Sequence, residues 1–199
     1  EWKKPEYNYE TGEVIKSADL TCSYEKKENL LSVSEEFSLM NLLTSKINGK
    51  QLDHQMINIW RIARAFSNYY GAPYSVPSRL SLSGTPLNEA FVCLHQILPQ
   101  FQKQNKLQKV QCIILTDGEA NHLSRHVEVQ RSWESTSFLG IRRLCGGTTF
   151  LRDRKTGNTY QVPYGWHGFS DLMLRNLRDK FPSVNFVGIR VLEGRDANH

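Results

Sequence analysis

The sequence predicts an α/β fold, a mostly parallel sheet with helices on both of its faces. Val110-Gln-Cys-Ile-Ile-Leu115 and Val184-Asn-Phe-Val-Gly-Ile-Arg-Val-Leu192 are near-continuous apolar runs, the pattern of strands buried on two sides. Three other segments repeat apolar residues at helical spacing. Helix and strand alternate along the chain, which is how a covered parallel sheet is assembled.

The first 52 residues are the least regular part. Tyr7-Asn-Tyr-Glu-Thr-Gly-Glu-Val-Ile15 sets a Thr-Gly turn between two short strand-like halves and predicts a hairpin. The apolar patch from Phe37 to Leu43 fits either a strand or a helix. An α/β core is expected over 53–192. Its first helix carries Met56, Ile59, Trp60, Ala63, Phe66 and Tyr70 on one face, with Asp53 as N-cap. Gly71-Ala-Pro-Tyr-Ser-Val-Pro77 breaks it. A second helix begins at Pro86, aligns Leu87, Ala90, Phe91, Leu94 and Leu98, and ends or kinks at Pro99. The strand 110–115 then runs into Thr116-Asp-Gly-Glu119. A hairpin is expected over about 148–162, turning at Lys155-Thr-Gly-Asn158. A third helix carries Phe169, Leu172, Met173 and Leu177, and the strand 184–192 closes the core.

At 199 residues and 39% hydrophobic, the chain can bury one core, so a single domain over 1–199 is expected. Glu1 is not an initiator residue and the last seven residues carry no capping element, so N-terminal truncation is expected as well. Twenty-five Lys and Arg against 20 Asp and Glu leave a net charge of +5, which allows an acidic partner without requiring one. No apolar run approaches the ~20 residues of a membrane span, and no signal peptide is visible. The four cysteines, Cys22, Cys93, Cys112 and Cys145, show no C-x-x-C pairing and read as reduced cytoplasmic thiols.

In open α/β sheets, ligands collect beyond the carboxyl ends of the strands. Asp117 falls there, directly after the strand 110–115, and Thr85 falls at the head of the second helix. A hard cation such as Mg²⁺ takes oxygen ligands from hydroxyls and carboxylates. Each residue also has a purely structural use: Thr85 before Pro86 can cap a helix, and Asp117-Gly118 can turn the chain after a strand.

Taken in order, Ser83-Gly-Thr-Pro-Leu-Asn-Glu-Ala90, a helix, a buried strand and Thr116-Asp-Gly-Glu119 resemble the von Willebrand factor A-type domain over roughly 53–192. The resemblance implies a Rossmann-like fold and a metal-ion-dependent adhesion site. Thr85 would come from its second loop and Asp117 from its third. It implies a protein-binding module rather than an enzyme, with Mg²⁺ or another divalent cation as cofactor. Within the family, the stretch 82–122 is similar to cobaltochelatase T subunit-like proteins of tailed bacteriophages, and the hairpin at 148–164 resembles their insertion. That likeness implies the non-catalytic partner of a ring-forming AAA+ ATPase of the chelatase type, in the host cytoplasm if phage-encoded.

The family's first loop, D-x-S-x-S after an opening strand, supplies most of the metal ligands. Asp19-Leu-Thr-Cys-Ser23 has a D-x-T-x-S spacing, but the residues before it include only two strong apolar ones. The first strand and its loop are therefore expected upstream of Glu1, with the cation held weakly or not at all by this chain.

Three rival chemistries have a foothold. Arg125, Arg131, Arg142, Arg143, Arg152, Arg154 and Lys155, with Trp133, Phe150 and Tyr160 nearby, could track a nucleic-acid backbone, diluted by Glu128, Glu134 and Asp153. His122 and His126 stand four apart, as on one face of a zinc-hydrolase helix, but Leu-Ser-Arg lies between them and supplies no general base. Cys145-Gly-Gly-Thr-Thr149 could be a nucleophile turn or the entry to the hairpin. No P-loop is present, so any ATPase would be a separate protein.

Overall fold

The computed structural model describes residues 6–7, 14–16, 25–33, 37, 39–67, 84–116, 120–133, 135–164 and 168–191. The chain divides into two compact units, Glu1–Phe37 with Thr85–His199, and Ser38–Gly84.

The larger unit is mixed α/β. Its centre is a parallel pair, β4 (Val110–Thr116) and β9 (Val184–Arg190), in register from Val110 opposite Val184 to Thr116 opposite Arg190. Helices α2 (Leu87–Asn105) and α3 (Phe169–Lys180) contribute Phe91, Leu98, Leu172, Met173 and Leu177 to a core with Val110, Val184 and Phe186. Leu177 is wholly buried; burial of such a side chain contributes about 1.5–3 kcal/mol. The two predicted strands and these two helices are thus present.

Two expectations change. The sheet is not mostly parallel: among the described residues β4 and β9 are its one parallel pair. Nor do the described residues cover both of its faces: Ile113 and Leu115 are 63% and 68% exposed, and Val187 and Ile189 are exposed beside them. Alternation explains this: Cys112, Ile114 and Phe186 point to the helices, and their sequence neighbours point away. An all-apolar run therefore signals a strand but not which face is covered.

The remaining strands pair antiparallel. β1 (Glu6–Tyr7) and β2 (Val14–Lys16) form the expected hairpin arms, with their turn outside the described residues. β3 (Leu31–Ser32), β5 (Ser124–Val129) and β6 (Phe138–Arg143) make a sheet in the order β3-β5-β6. Neither β5 nor β6 stands out in sequence, since Arg125, His126 and Glu128 break up β5 and the apolar part of β6 is only Phe138-Leu-Gly-Ile141.

β7 (Phe150–Arg152) and β8 (Thr159–Gln161) form the hairpin predicted at 148–162. Its turn is organised by Asp153, whose Oδ1 accepts the Lys155 and Thr156 amides at 2.8 and 3.2 Å, while Gly157 takes a left-handed φ of +80°. Cys145-Gly-Gly serves as the base of this hairpin. The Gly147 amide donates to the Val162 carbonyl at 3.0 Å, and a Cβ on Gly146 would come within 2.6 Å of the Pro163 carbonyl carbon. The close backbone at Gly146, and at Gly147 a left-handed φ of +86° with the Tyr164 ring against it, account for the glycine pair.

Helix ends also differ. α2 starts at Leu87 with Pro86 as cap residue and no side-chain cap bond, so Thr85 is not its N-cap. It runs through Pro99, which is exposed. It ends at Lys106, left-handed at φ +52°, with the Leu107 amide donating to Gln102 at 3.0 Å.

In the smaller unit, α1 spans Gly49–Ser67 and so starts earlier than a helix capped by Asp53 would. Asn48, not Asp53, caps it: Asn48 Oδ1 accepts the Gln51 amide at 2.9 Å and Gln51 Oε1 accepts the Asn48 amide at 3.2 Å. The Thr44 amide donates to Gln55 Oε1, which lays the preceding segment along that side of the helix. The less exposed face accordingly carries Gln55, Ile59, Ile62 and Phe66, and Met56 and Trp60 remain exposed. The patch at 39–43 is neither strand nor helix, and Tyr70 and the break at 71–77 lie outside the described residues. Among the described residues no helix is long and apolar enough to cross a membrane.

Candidate functional site

The head of α2 is laced to the loop that leaves the carboxyl end of β4. The Asn121 amide donates to the Thr85 carbonyl at 3.0 Å. Asn88, fully buried in the first turn of α2, donates from Nδ2 to the Asn121 carbonyl at 2.7 Å. Its Oδ1 accepts the Ser170 hydroxyl of α3 at 3.4 Å. One amide side chain thus ties together three elements beyond the end of a parallel strand. Ala120 and Leu123, both buried, anchor the loop on either side of Asn121.

Glu89 follows Asn88. Its Oε2 is buried and has no hydrogen-bond partner among the described residues. Burial raises its pKa, opposed by a bond from its own backbone amide. Thr85 is half-buried one turn before it. Asp117 and the Asp19–Ser23 stretch lie outside the described residues, so the loop is described from Ala120 onward. Among the described residues no three His, Cys, Asp or Glu side chains converge as a metal cluster. The chemistry that is present is oxygen: a threonine hydroxyl and an unpartnered carboxylate oxygen, which suit a hard cation better than a soft one.

The histidines do not share a helix. His122 stands in the loop, edge-on to Phe169 with ring centroids 6.3 Å apart, and His126 is buried within β5. His122 precedes β5 and His126 lies within it, so the two are not neighbours on one helix face. The helical spacing that motivated the zinc idea is absent.

The arginine-rich region is distributed over two sheets. Arg125 faces Arg142 across β5 and β6, and Arg131 lies over the Phe138 ring, 5.0 Å from its centroid. Arg152 lies on β7, and Arg154 and Lys155 lie in the turn that follows. A shallow concavity along α3, lined by Asp171, Arg175 and Arg178 with Gln161 and Pro163, is separate from the Thr85 loop. Cys93 is buried, Cys112 is half-buried, Cys145 is exposed, and Cys22 lies outside the described residues.

Sequence reasoning did not single out Asn88, Glu89, Asn121 or Ser170. A signal existed for Asn88. It stands three residues before Phe91, on the stripe that continues to His95 and Leu98, so a polar side chain is turned toward the core. Comparison with protein-family models, curated proteins and solved structures returns no match to this chain.

Proposed function

We propose that this chain is a metal-ion-dependent protein-binding module of the von Willebrand factor A type, with a Rossmann-like core. In this proposal it serves as the non-catalytic partner of a cytoplasmic AAA+ ATPase of the chelatase type, similar to the cobaltochelatase T subunit. The observation that supports it is the bond from the Asn121 amide to the Thr85 carbonyl, which joins the Thr85 turn to a residue four positions after Asp117 in the sequence. Thr85 and Asp117 would contribute to a Mg²⁺ site, and the buried, unpartnered Oε2 of Glu89 is one further oxygen near the head of the same helix. A divalent cation there would offer an open coordination position to a carboxylate on the docking partner.

The test is a binding measurement between the protein and a chelatase-type AAA+ ring, in Mg²⁺ and in chelator. Binding should weaken about tenfold or more, a loss of ~1.4 kcal/mol or more, in chelator and with Thr85→Ala or Asp117→Ala. Equal binding under all four conditions would exclude metal-dependent docking.

A further inference from the structure

The sheet β3-β5-β6 ends in an edge that nothing described covers. Its hydrogen-bond phase follows from three contacts. The Leu144 amide donates to the Leu123 carbonyl, the Asn29 amide donates to the His126 carbonyl, and the His126 amide donates to the Leu30 carbonyl. Residues along an antiparallel strand alternate between two neighbours. Residues 125, 127 and 129 of β5 therefore bond to β6, while 126 bonds to β3. On β6, residues 138, 140 and 142 bond inward, and Leu139, Ile141 and Arg143 direct their amides and carbonyls outward.

This edge is unusually open. Ile141 is 66% exposed, and Leu139, Phe138, Arg142 and Arg143 are exposed with it. Arg142 faces Arg125 across the ladder, a like-charge pair that costs stability unless something compensates. No carboxylate of a described residue pairs with Arg142 or Arg143. Natural edges of this length are usually shortened, bulged or covered.

We infer that β6 is a docking edge for an extended acidic segment of a partner protein, added as a fourth strand beside Leu139, Ile141 and Arg143. The outward amides and carbonyls supply the ladder, and Leu139 and Ile141 receive alternate apolar side chains. Arg142 and Arg143 select carboxylates on the two faces of the incoming strand. A nucleic-acid strand fits less well, because a sugar-phosphate backbone cannot complete a peptide ladder and aliphatic side chains give its bases no stacking platform. A second copy also fits less well, since β6 against β6 would gather four arginines with no carboxylate among them. The inference is independent of the Thr85 and Asp117 proposal, and chelator should not affect it.

The experiment is fluorescence anisotropy with a labelled peptide of alternating valine and glutamate flanked at each end by a pair of glutamates, which sets carboxylates on both faces of the strand, titrated with the protein. Saturable binding is expected, weakening about tenfold or more when alternate peptide nitrogens are methylated or when lysine replaces glutamate. Ile141→Pro removes one outward donor at a position where an edge strand tolerates proline, so binding should fall similarly with the melting temperature nearly unchanged. Arg142→Gln with Arg143→Gln should weaken binding and flatten its salt dependence. Failure of the protein to bind the peptide would overturn the inference, as would binding indifferent to both N-methylation and Ile141→Pro. Tighter binding of a thymidine oligonucleotide would assign the surface to nucleic acid instead, and concentration-dependent dimerisation abolished by Ile141→Pro would assign it to a second copy.

Discussion

The Lys180 ammonium donates to the Asp153 carboxylate at 2.9 Å, tying the turn between β7 and β8 to the last turn of α3. Asn176 donates to the same Oδ2 at 3.2 Å, and the Tyr160 hydroxyl donates to Asp179 at 2.6 Å. The hairpin is thus held by its own polar contacts as well as by Tyr160 and Val162 in the core.

Burial raises the Asp153 pKa, but bonds from Lys180, Asn176 and the Lys155 and Thr156 amides outweigh it and hold the carboxyl well below the ordinary carboxylate range. A depressed folded-state pKa adds stability that is complete above the unfolded value, about 3.9, and is lost as pH falls below it. Asp153→Asn should therefore flatten the loss of stability below about pH 4, read as urea midpoints at pH 7 and pH 3. Asp153→Ala leaves Lys180 largely buried without its partner and should cost about 2–4 kcal/mol at pH 7.

How much of this was legible depends on what each signal encodes. The strands at 110 and 184 and the helix at 169 were readable because periodicity follows from backbone geometry. The hairpin was readable because Lys155-Thr-Gly-Asn158 has turn chemistry. β5 and β6 were not: charged residues stand among or beside their apolar ones, and β5 also pairs with β3, which is distant in sequence. The cap of α1 was misassigned because Asp53 and Asn48 are both capping residue types, and the reciprocal Asn48 and Gln51 bonds decide between them. Near Thr85, Asn88 shows in the sequence only as a polar residue on the apolar stripe of α2, and its bond to Asn121, 33 residues away, does not follow from spacing.

His95 should make the protein acid-sensitive in a second, higher window. Burial, with the Lys180 charge second, lowers its pKa to about 4, and its Nδ1 is buried without a hydrogen-bond partner among the described residues. The unfolded histidine titrates near 6.5, so the stability it contributes is full above about pH 6.5 and is lost as pH falls toward 4. After allowance for partial exposure the effect is on the order of 2 kcal/mol. Urea midpoints followed from pH 7 to pH 4 should fall for the wild type and stay flatter for His95→Gln. Parallel curves would show that His95 does not carry the slope.

Lys106 offers a stabilising change. It closes α2 in the left-handed region at φ +52°, where a side chain costs energy that glycine does not. Lys106→Gly should raise stability by about 0.5–1 kcal/mol, since the Leu107 to Gln102 bond needs only the backbone. Thermal melting would register this as an increase of a few degrees, and a decrease would mean that the lysine side chain contributes more than its backbone strain costs.

Asn88 is the position at which stability and the candidate site meet. Its amide donates to Asn121 and accepts from Ser170 in a fully buried setting, so Asn88→Ala should cost about 2–3 kcal/mol. The local effect should exceed the global one. Because the Asn121 amide is held by Thr85, its hydrogen exchange should accelerate more in Asn88→Ala than that of Met173, deep in α3. Asn88→Asp separates hydrogen bonding from size. It keeps the shape but, when ionised, sets a carboxylate against the Asn121 carbonyl, so its destabilisation should ease at low pH as the carboxyl protonates. Uniform acceleration of exchange across the chain would mean that Asn88 supports the core as a whole rather than the join between the Thr85 turn and the loop after β4.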